Sequence, residues 1–240
     1  KDIELVSSPS DGLGKIYTIL DDLRGRTWIA TIAGVYLWSE NERRLIRVEQ
    51  QENMFIGVRG MICTKRGELY VNTVNSGLYS VDVERLVLKA FNGQQEFGKD
   101  QIYALMEDKD ENLWIGGLKK GIVMLTNEPS QFKFKPLSSF SPSLRNTLSF
   151  VYEDKKNRVW TSTTDGRLIR IDKDMQEYLS FEVGDGILSM LHDSEGIIWL
   201  GSYNGLSRFD ERTGTIQRLP LLQGKAIHNI VEGRNQKFYI

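Results

Sequence analysis

The residues of this sequence that most suggest chemistry are acids placed six positions before an aromatic residue. In the stretch DSEGIIWLGSYNGLSRFD, Asp193 precedes Trp199 at this spacing, with Gly196 between them. A carboxylate beside an aromatic ring could serve an active-site loop as an acid or base next to a stacking surface. A catalytic motif should occur once, so the number of copies decides between catalysis and scaffold.

The pairing of acid and aromatic residue is repeated along the chain. Further copies begin DLRGRTW, DKDENLW and DKKNRVW, a degenerate copy begins TKRGELY, and a last partial copy ends in KFYI. The aromatic residues stand at positions 28, 70, 114, 160, 199 and 239, at intervals of 42, 44, 46, 39 and 40 residues. A period of this length is typical of repeat folds. The acid and the indole are therefore predicted to serve folding rather than catalysis.

Each repeat is predicted to form four short antiparallel strands. Aliphatic residues twelve and nine positions before the aromatic residue, such as Ile187 and Met190 before Trp199, indicate a first strand buried on both faces. The acid then begins a turn, and residues suited to a positive φ follow it: Gly25, Gly67, Asn157 and Gly196. After the strand that carries the aromatic residue, pairs such as Asn204-Gly205 indicate a hairpin. No convincing helical period interrupts this pattern.

These features predict an all-β fold, a β-propeller of four-stranded antiparallel blades. About five complete blades are expected at residues 16–57, 58–101, 102–147, 148–186 and 187–226, with partial blades at 1–15 and 227–240. We expect residues 1–240 to form a single propeller domain, or a segment of a larger propeller that is seven-bladed or double.

Composition excludes several classes of partner. The chain has 31 basic and 32 acidic residues, so no net field would recruit nucleic acid or an anionic membrane. Its apolar runs are far shorter than the ~20 residues of a membrane span. Cys63 is the only cysteine, which excludes an internal disulfide. The first residues contain no signal-type hydrophobic stretch, so we expect any targeting segment to have been removed or to lie upstream.

No constellation of catalytic or metal-binding residues emerges. His192, one of two histidines, occupies a repeat position that other copies fill with Asp21, Cys63, Glu107, Glu153 and Glu232. The segment DKDEN at 108–112 resembles the start of a calcium loop, but it lacks glycine at the sixth place, and Lys119 replaces the bidentate glutamate. We therefore predict no catalytic residue, no metal site and no cofactor.

The pattern D-x-x-G-x-x-W-[IL]-[GA]-[TS]-x-x-G-[LV] resembles the two-component regulator propeller repeat. That family forms the periplasmic sensor region of hybrid two-component systems, which bind oligosaccharides. The resemblance implies a non-enzymatic, ligand-sensing segment whose partners are an oligosaccharide or glycan fragment, the rest of the receptor chain and a second copy in a homodimer. Kinase activity and membrane tethering would lie in segments outside these 240 residues.

The candidate ligand site is placed on the face where the repeats differ. In a propeller, the loops that enter each first strand share one face with the loops that join second and third strands. Arg59 and Tyr103 share one repeat position there. The predicted ligand-binding residues are Arg59, Asn75, Lys99, Tyr103, Lys119, Lys120, Arg145, Asp165, Tyr203 and Asn204. Aromatic rings can stack on sugars, while amides and charged groups can bond to hydroxyls, carboxylates or sulfates, so this set of residues indicates a glycan or an anionic glycan as the ligand. Each residue taken alone also fits an ordinary solvated loop.

Two other functions stay open as alternatives. Propeller lyases and glycoside hydrolases use similar repeats, but they need converging histidine, glutamate or metal ligands on one face. The sialidase aspartate box also places glycine two residues after the acid, whereas Gly25 and Gly196 stand three residues after it. A protein-interaction platform of WD-repeat type would carry Gly-His and Trp-Asp dipeptides, which this sequence lacks.

Overall fold

The computed structural model describes residues 12–50, 57–91, 101–117, 121–126, 132–135, 137, 140–141, 144, 147–172, 175–233 and 237–240. The chain divides into two compact units, unit 1 with residues 1–107 and unit 2 with residues 108–240. Among the described residues, no helix has the length and the apolar character needed to cross a membrane.

Unit 1 contains two four-stranded antiparallel sheets and one further strand in its described part. The first sheet consists of β1 (Ile16–Asp21), β2 (Thr27–Thr31), β3 (Gly34–Ser39) and β4 (Arg44–Arg47). The second sheet consists of β5 (Val58–Cys63), β6 (Leu69–Thr73), β7 (Leu78–Asp82) and β8 (Val87–Ala90). The further strand is β9 (Ile102–Glu107), which packs against β5 and β6.

Unit 2 continues the same pattern. Its first three strands are β10 (Leu113–Gly117), β11 (Ile122–Leu125) and β12 (Phe132–Lys135), paired in that order. A four-stranded sheet follows with β13 (Leu148–Glu153), β14 (Val159–Thr163), β15 (Arg167–Ile171) and β16 (Tyr178–Glu182). The next sheet has β17 (Ile187–His192), β18 (Ile198–Ser202), β19 (Gly205–Asp210) and β20 (Thr215–Arg218). A 3-10 turn (Pro220–Leu222) then leads to the pair β21 (Val231–Glu232) and β22 (Phe238–Tyr239).

The aromatic residues fill the space between neighbouring sheets, as the repeat predicted. Trp28 is fully buried and packs in one cluster with Val58 and Met61 of the second sheet. In unit 2, Trp160 packs in the same way with Ile187 and Met190. Burial of an aromatic side chain of this size contributes several kcal/mol, on the order of 3–5 by the cost of its removal.

The strand β1 departs from the expectation that every first strand is covered on both faces. Ile16 is 45 % exposed and Ile19 is 62 % exposed, whereas their repeat counterparts Val58 and Met61 are buried. The reason is that Val58 and Met61 belong to the cluster between the first and second sheets, and Ile16 and Ile19 do not.

The acid at each turn holds the turn and the indole together. In unit 2, Asp154 accepts the backbone N–H groups of Lys156 (2.8 Å) and Arg158 (3.0 Å) on one oxygen. Its other oxygen accepts the Trp160 indole N–H at 2.8 Å and the Arg158 guanidinium at 2.7 Å. The same indole bond is made to Asp22, Asp108 and Asp193. The predicted turn role is confirmed, and the indole bond explains the constant six-residue spacing.

Positive φ occurs where the turn needs it. Gly25 (73°), Gly67 (80°), Asn157 (61°) and Gly196 (86°) all adopt it, as the sequence predicted. Glu111 takes the same place in the DKDEN turn with a φ of 63°, although glutamate disfavours this region. Five described hydrogen bonds converge on the Asp108 carboxylate and hold that turn.

A second set of carboxylates, which we call the junction carboxylates, connects neighbouring repeats. Glu107 accepts the backbone N–H of Lys65 at 2.8 Å, and Glu153 accepts that of Lys109 at 2.9 Å. Glu232 accepts both the backbone N–H (2.7 Å) and the hydroxyl of Ser194. Each acceptor directly precedes the turn position of its own repeat, and each donor directly follows the turn position of the repeat before it.

We expect acid to destabilise the protein through the turn acids. Burial raises the pKa of these carboxyls, but the hydrogen bonds that they accept lower it by a larger amount. The pKa of Asp22 is therefore about 2, and the pKa values of Asp154 and Asp193 are below the ordinary value. A depressed native pKa gives stability that is complete above the unfolded pKa, about 3.9, and is lost as the pH falls through the native pKa. Urea midpoints should therefore be steady from pH 7 to 5 and fall steeply from pH 4 to 2. A midpoint that is unchanged at pH 3 would contradict this.

Candidate functional site

Four of the first strands, β1, β5, β13 and β17, begin with a β-bulge at the repeat position that Arg59 and Tyr103 share. The pairing register shifts between Ile16 and Thr18 in β1, between Val58 and Gly60 in β5, and between Ile187 and Ser189 in β17. In β13 the shift falls between Leu148 and Val151. The unpaired residues include Tyr17, Arg59, Ser149 and Leu188. A bulge re-aims a side chain away from the regular alternation of a strand, and such bulges are common beside functional sites.

Side chains from neighbouring repeats fix the carbonyl next to this position. Asn72 donates its side-chain N–H to the carbonyl of Ile102 at 2.8 Å. In unit 2, the hydroxyl of Ser162 donates to the carbonyl of Ile187 at 2.8 Å, and that of Ser189 donates to Ile227 at 3.1 Å. Because these donors are buried, they pin the backbone just before the variable residue.

In unit 1, three of the predicted binding residues lie together, and a residue that was not predicted, Gln101, connects two of them. The guanidinium carbon of Arg59 lies 3.9 Å from the centre of the Tyr103 ring. The Tyr103 hydroxyl donates to the side-chain oxygen of Gln101 at 2.9 Å, and the Gln101 amide donates to Asn75 at 3.0 Å. We call these four residues the Tyr103 cluster. Tyr17, at the same repeat position in β1, lies 5.0 Å from the Lys15 ammonium and is 36 % exposed.

The chemistry of the Tyr103 cluster suits a polyhydroxylated ligand. Arg59 offers fixed N–H donors and a positive charge, and the amides of Asn75 and Gln101 offer both donors and acceptors. The internal bonds orient these groups before any ligand arrives, which reduces the entropy lost on binding. Gln101 was missed by the sequence analysis, although its place directly before the buried Ile102 marks it as part of the same loop.

Unit 2 places Tyr203 and Asp165 on either side of the loop that enters β17. The Tyr203 ring lies against Gly186, where an added Cβ would be 3.1 Å from the ring. At Gly166, beside Asp165, an added Cβ would lie 2.8 Å from the backbone nitrogen of Asp185. One oxygen of Asp185 is buried without a hydrogen-bond partner among the described residues. We call Asp165, Asp185 and Tyr203 the Tyr203 cluster, and Tyr203 is its exposed surface at 56 %.

The remaining predicted binding residues belong to neither cluster. Asn204 serves the β18–β19 hairpin, since its N–H donates to Ser202 and its carbonyl accepts from Gly224. Lys99, Lys119, Lys120 and Arg145 lie outside the described residues.

Among the described residues, no group of three or more histidine, cysteine or acidic side chains could hold a metal ion. His192 is half-buried at the end of β17, and burial lowers the pKa of its imidazole. Burial likewise raises the pKa of the Cys63 thiol. Neither residue lies in the Tyr103 cluster or the Tyr203 cluster.

Comparison with known proteins agrees with this architecture. Residues 96–119 and 182–204 match the family described as the two component regulator propeller. The extracellular domain of the hybrid two component system BT3049 from B. thetaiotaomicron has a TM-score of 0.75 at 18 % identity, covering 94 % of this chain and 32 % of that one. The extracellular domain of BT4673 from the same organism has a TM-score of 0.73 at 18 % identity, and the match covers 91 % of this chain and 31 % of that one. No curated protein sequence matches the chain.

An enzyme also shares the fold. Virginiamycin B lyase from Staphylococcus aureus has a TM-score of 0.71 at 16 % identity, covering 93 % of this chain and 76 % of the lyase. The present chain spans about a third of each receptor domain that it resembles. The predicted fold is confirmed, since the chain is a β-propeller, and the predicted repeat type is confirmed at residues 96–119 and 182–204, which match the two-component regulator propeller.

Proposed function

We propose that this chain is part of the periplasmic sensor region of a hybrid two-component receptor and that it binds an oligosaccharide or glycan fragment without turning it over. The observation that carries the proposal is the Tyr103 cluster, in which Arg59, Tyr103, Gln101 and Asn75 are already joined in one chain of contacts. The repeat match and the likeness to extracellular receptor domains support the signalling role.

The electrostatics of the Tyr103 cluster favour a sugar that carries an acid group. Arg59 lies over the Tyr103 ring and has no acidic partner among the described residues. A carboxylate or sulfate on the ligand would form a charge-assisted bond with it, while the amides bind hydroxyl groups. In unit 2, Tyr203 provides an exposed ring, and Asp165 and Asp185 provide acceptors for sugar hydroxyls.

Signalling requires that the ligand bind one arrangement of the receptor better than another. We propose that the rest of the receptor chain and a second copy of it supply the alternative arrangement. This segment would then contribute ligand contacts and no catalytic step, and it would make no direct contact with nucleic acid.

Isothermal titration of the 240-residue chain against neutral and acidic oligosaccharides tests the proposal. We expect heat from at least one acidic oligosaccharide, and a loss of affinity of roughly tenfold or more in Arg59→Ala and Tyr103→Ala, the range expected when a bond to a charged group is removed. Tyr103→Phe keeps the ring under Arg59 and loses only the bond to Gln101, so its loss should be smaller.

Tyr203→Ala shows which cluster holds the ligand. If this variant loses affinity and Tyr103→Ala does not, the site lies in unit 2 and the role of the Tyr103 cluster is wrong. No heat with any oligosaccharide would contradict glycan binding. Release of a shortened or unsaturated product, followed by mass spectrometry, would show an enzyme instead.

A further inference from the structure

Two junctions between repeats lack the carboxylate that the others have, because the repeat position is Cys63 at one and His192 at the other. Glu107, Glu153 and Glu232 each accept a backbone N–H from the turn of the preceding repeat. Between the β13–β16 and β17–β20 sheets, the same repeat position is His192. The donor at this junction would be the N–H of Lys155, and no carboxylate of the described residues accepts it.

His192 does not replace the missing carboxylate. Its ring lies 6.1 Å from that of Tyr152 and 6.4 Å from that of Trp160, centre to centre. Its Nδ1 atom is buried and has no hydrogen-bond partner among the described residues. A buried polar atom without a partner is unfavourable, so a ligand that supplies one would be stabilised there.

A groove of about 1000 Å³ opens at this junction. His192 lies in its wall, with Ile198 and Phe209 as buried apolar neighbours. Lys156 and Arg212 also line it, and their side chains make no hydrogen bond or ion pair with any described residue. The side chain of Arg208 lies over the Trp199 ring instead, with its guanidinium carbon 4.8 Å from the ring centre. The volume is within the range of small-molecule sites.

The acids of the groove are already engaged. Asp154 is occupied by the turn and by Trp160, and Asp210 accepts the backbone N–H groups of Arg212 and Thr213. Glu211 accepts two bonds from Arg158, at 2.6 and 2.9 Å, and also contacts Arg170. The positive charges of Lys156 and Arg212, which form no ion pair among the described residues, are therefore left to attract an anion.

We propose that this groove binds a small ligand with two or more carboxylate groups. One carboxylate takes the place of the absent glutamate, near the Lys155 N–H and His192. The other carboxylates bind Lys156 and Arg212. The site is separate from the Tyr103 and Tyr203 clusters, so it does not depend on glycan binding.

Citrate is a suitable probe because it carries three carboxylates, and histidine NMR reports its position. The chain has two histidines, so the imidazole signals of His192 and His228 can be followed separately. We expect citrate to shift the His192 signal in a saturable way and to leave the exposed His228 unchanged. Arg212→Ser should weaken binding roughly tenfold, as expected for the loss of a bond between charged groups, whereas Arg44→Ser, an exposed arginine of unit 1, should have no effect.

His192→Glu is the decisive variant. It supplies the junction carboxylate from within the chain, so titration calorimetry should show no citrate binding to a protein that stays folded. Retained citrate affinity in His192→Glu would overturn the proposal. So would equal shifts of both histidines, or an equal effect of inorganic sulfate at the same ionic strength, because either would show only general anion binding.

Discussion

Asp154→Ala is expected to lower the free energy of unfolding by about 3–5 kcal/mol, the cost of breaking a buried charged pair by removing one partner. The Asp154 side chain is 1 % exposed and accepts the Trp160 indole, two backbone N–H groups and the Arg158 guanidinium. Alanine leaves all four donors without that acceptor. Urea unfolding followed by circular dichroism measures the loss.

Two control variants separate charge from shape. Asp154→Asn keeps an oxygen that accepts the backbone N–H groups, but it turns an N–H₂ group towards the Arg158 guanidinium and the Trp160 indole, which are donors themselves. We therefore expect the free energy of unfolding to fall by about 2 kcal/mol, which is typical of buried unsatisfied donors. Thr64 occupies the acid position of the second sheet, and its side-chain hydroxyl accepts only the Glu68 N–H among its described bonds. Thr64→Ala should therefore cost about 1 kcal/mol. Equal losses for Asp154→Ala and Thr64→Ala would contradict the role given to the indole bond.

Gly201→Ala is expected to destabilise the protein by about 2–3 kcal/mol, although alanine in a strand usually gains about 0.5–1 kcal/mol over glycine. An added Cβ at this position would lie 2.7 Å from the carbonyl oxygen of Ile227 and would also meet the Ser189 hydroxyl. The carbonyl is backbone, so it cannot move aside cheaply. The steric term therefore exceeds the conformational gain.

Ser162→Ala is the matched control, because Ser162 stands at the same repeat position in the β13–β16 sheet. It loses a hydrogen bond to the Ile187 carbonyl and gains no clash, so we expect about 1 kcal/mol. Thermal unfolding of both variants measures the difference. A Gly201→Ala protein as stable as the parent would show that the two repeats are not packed as closely as the structure indicates.

The repeats, the strands and the turns could be predicted from the sequence because each depends on local spacing. Asp154 and Trp160 recur together at six residues, and Asn157 marks the positive φ between them. The burial of β1 was predicted wrongly because the pattern IYTIL is the same whether or not another sheet covers it. Ile19 shows this, since it is 62 % exposed and its counterpart Met61 is 7 % exposed.

The site was harder to predict because it depends on contacts between repeats. The repeat comparison placed Arg59 and Tyr103 at one position, but it could not show that their side chains touch across β5 and β9. The bulge was also invisible, because one extra residue in the pairing leaves the apolar pattern unchanged. Gln101 joins Tyr103 to Asn75 only once the loops are folded.

The bulged position can vary in sequence without disturbing the contacts that fold each repeat. Within this one chain, the bulged position already holds tyrosine, arginine, serine and leucine, while the acid and the indole stay fixed at the turn in three of these four repeats and are Thr64 and Tyr70 in the repeat of Arg59. A new side chain there changes what the surface can recognise and leaves the Asp–Trp pairing of its own repeat intact. A propeller of this kind can therefore acquire a different ligand preference through single substitutions, and a library randomised only at positions 17, 59, 103, 149 and 188 is the natural starting point for redesigning it.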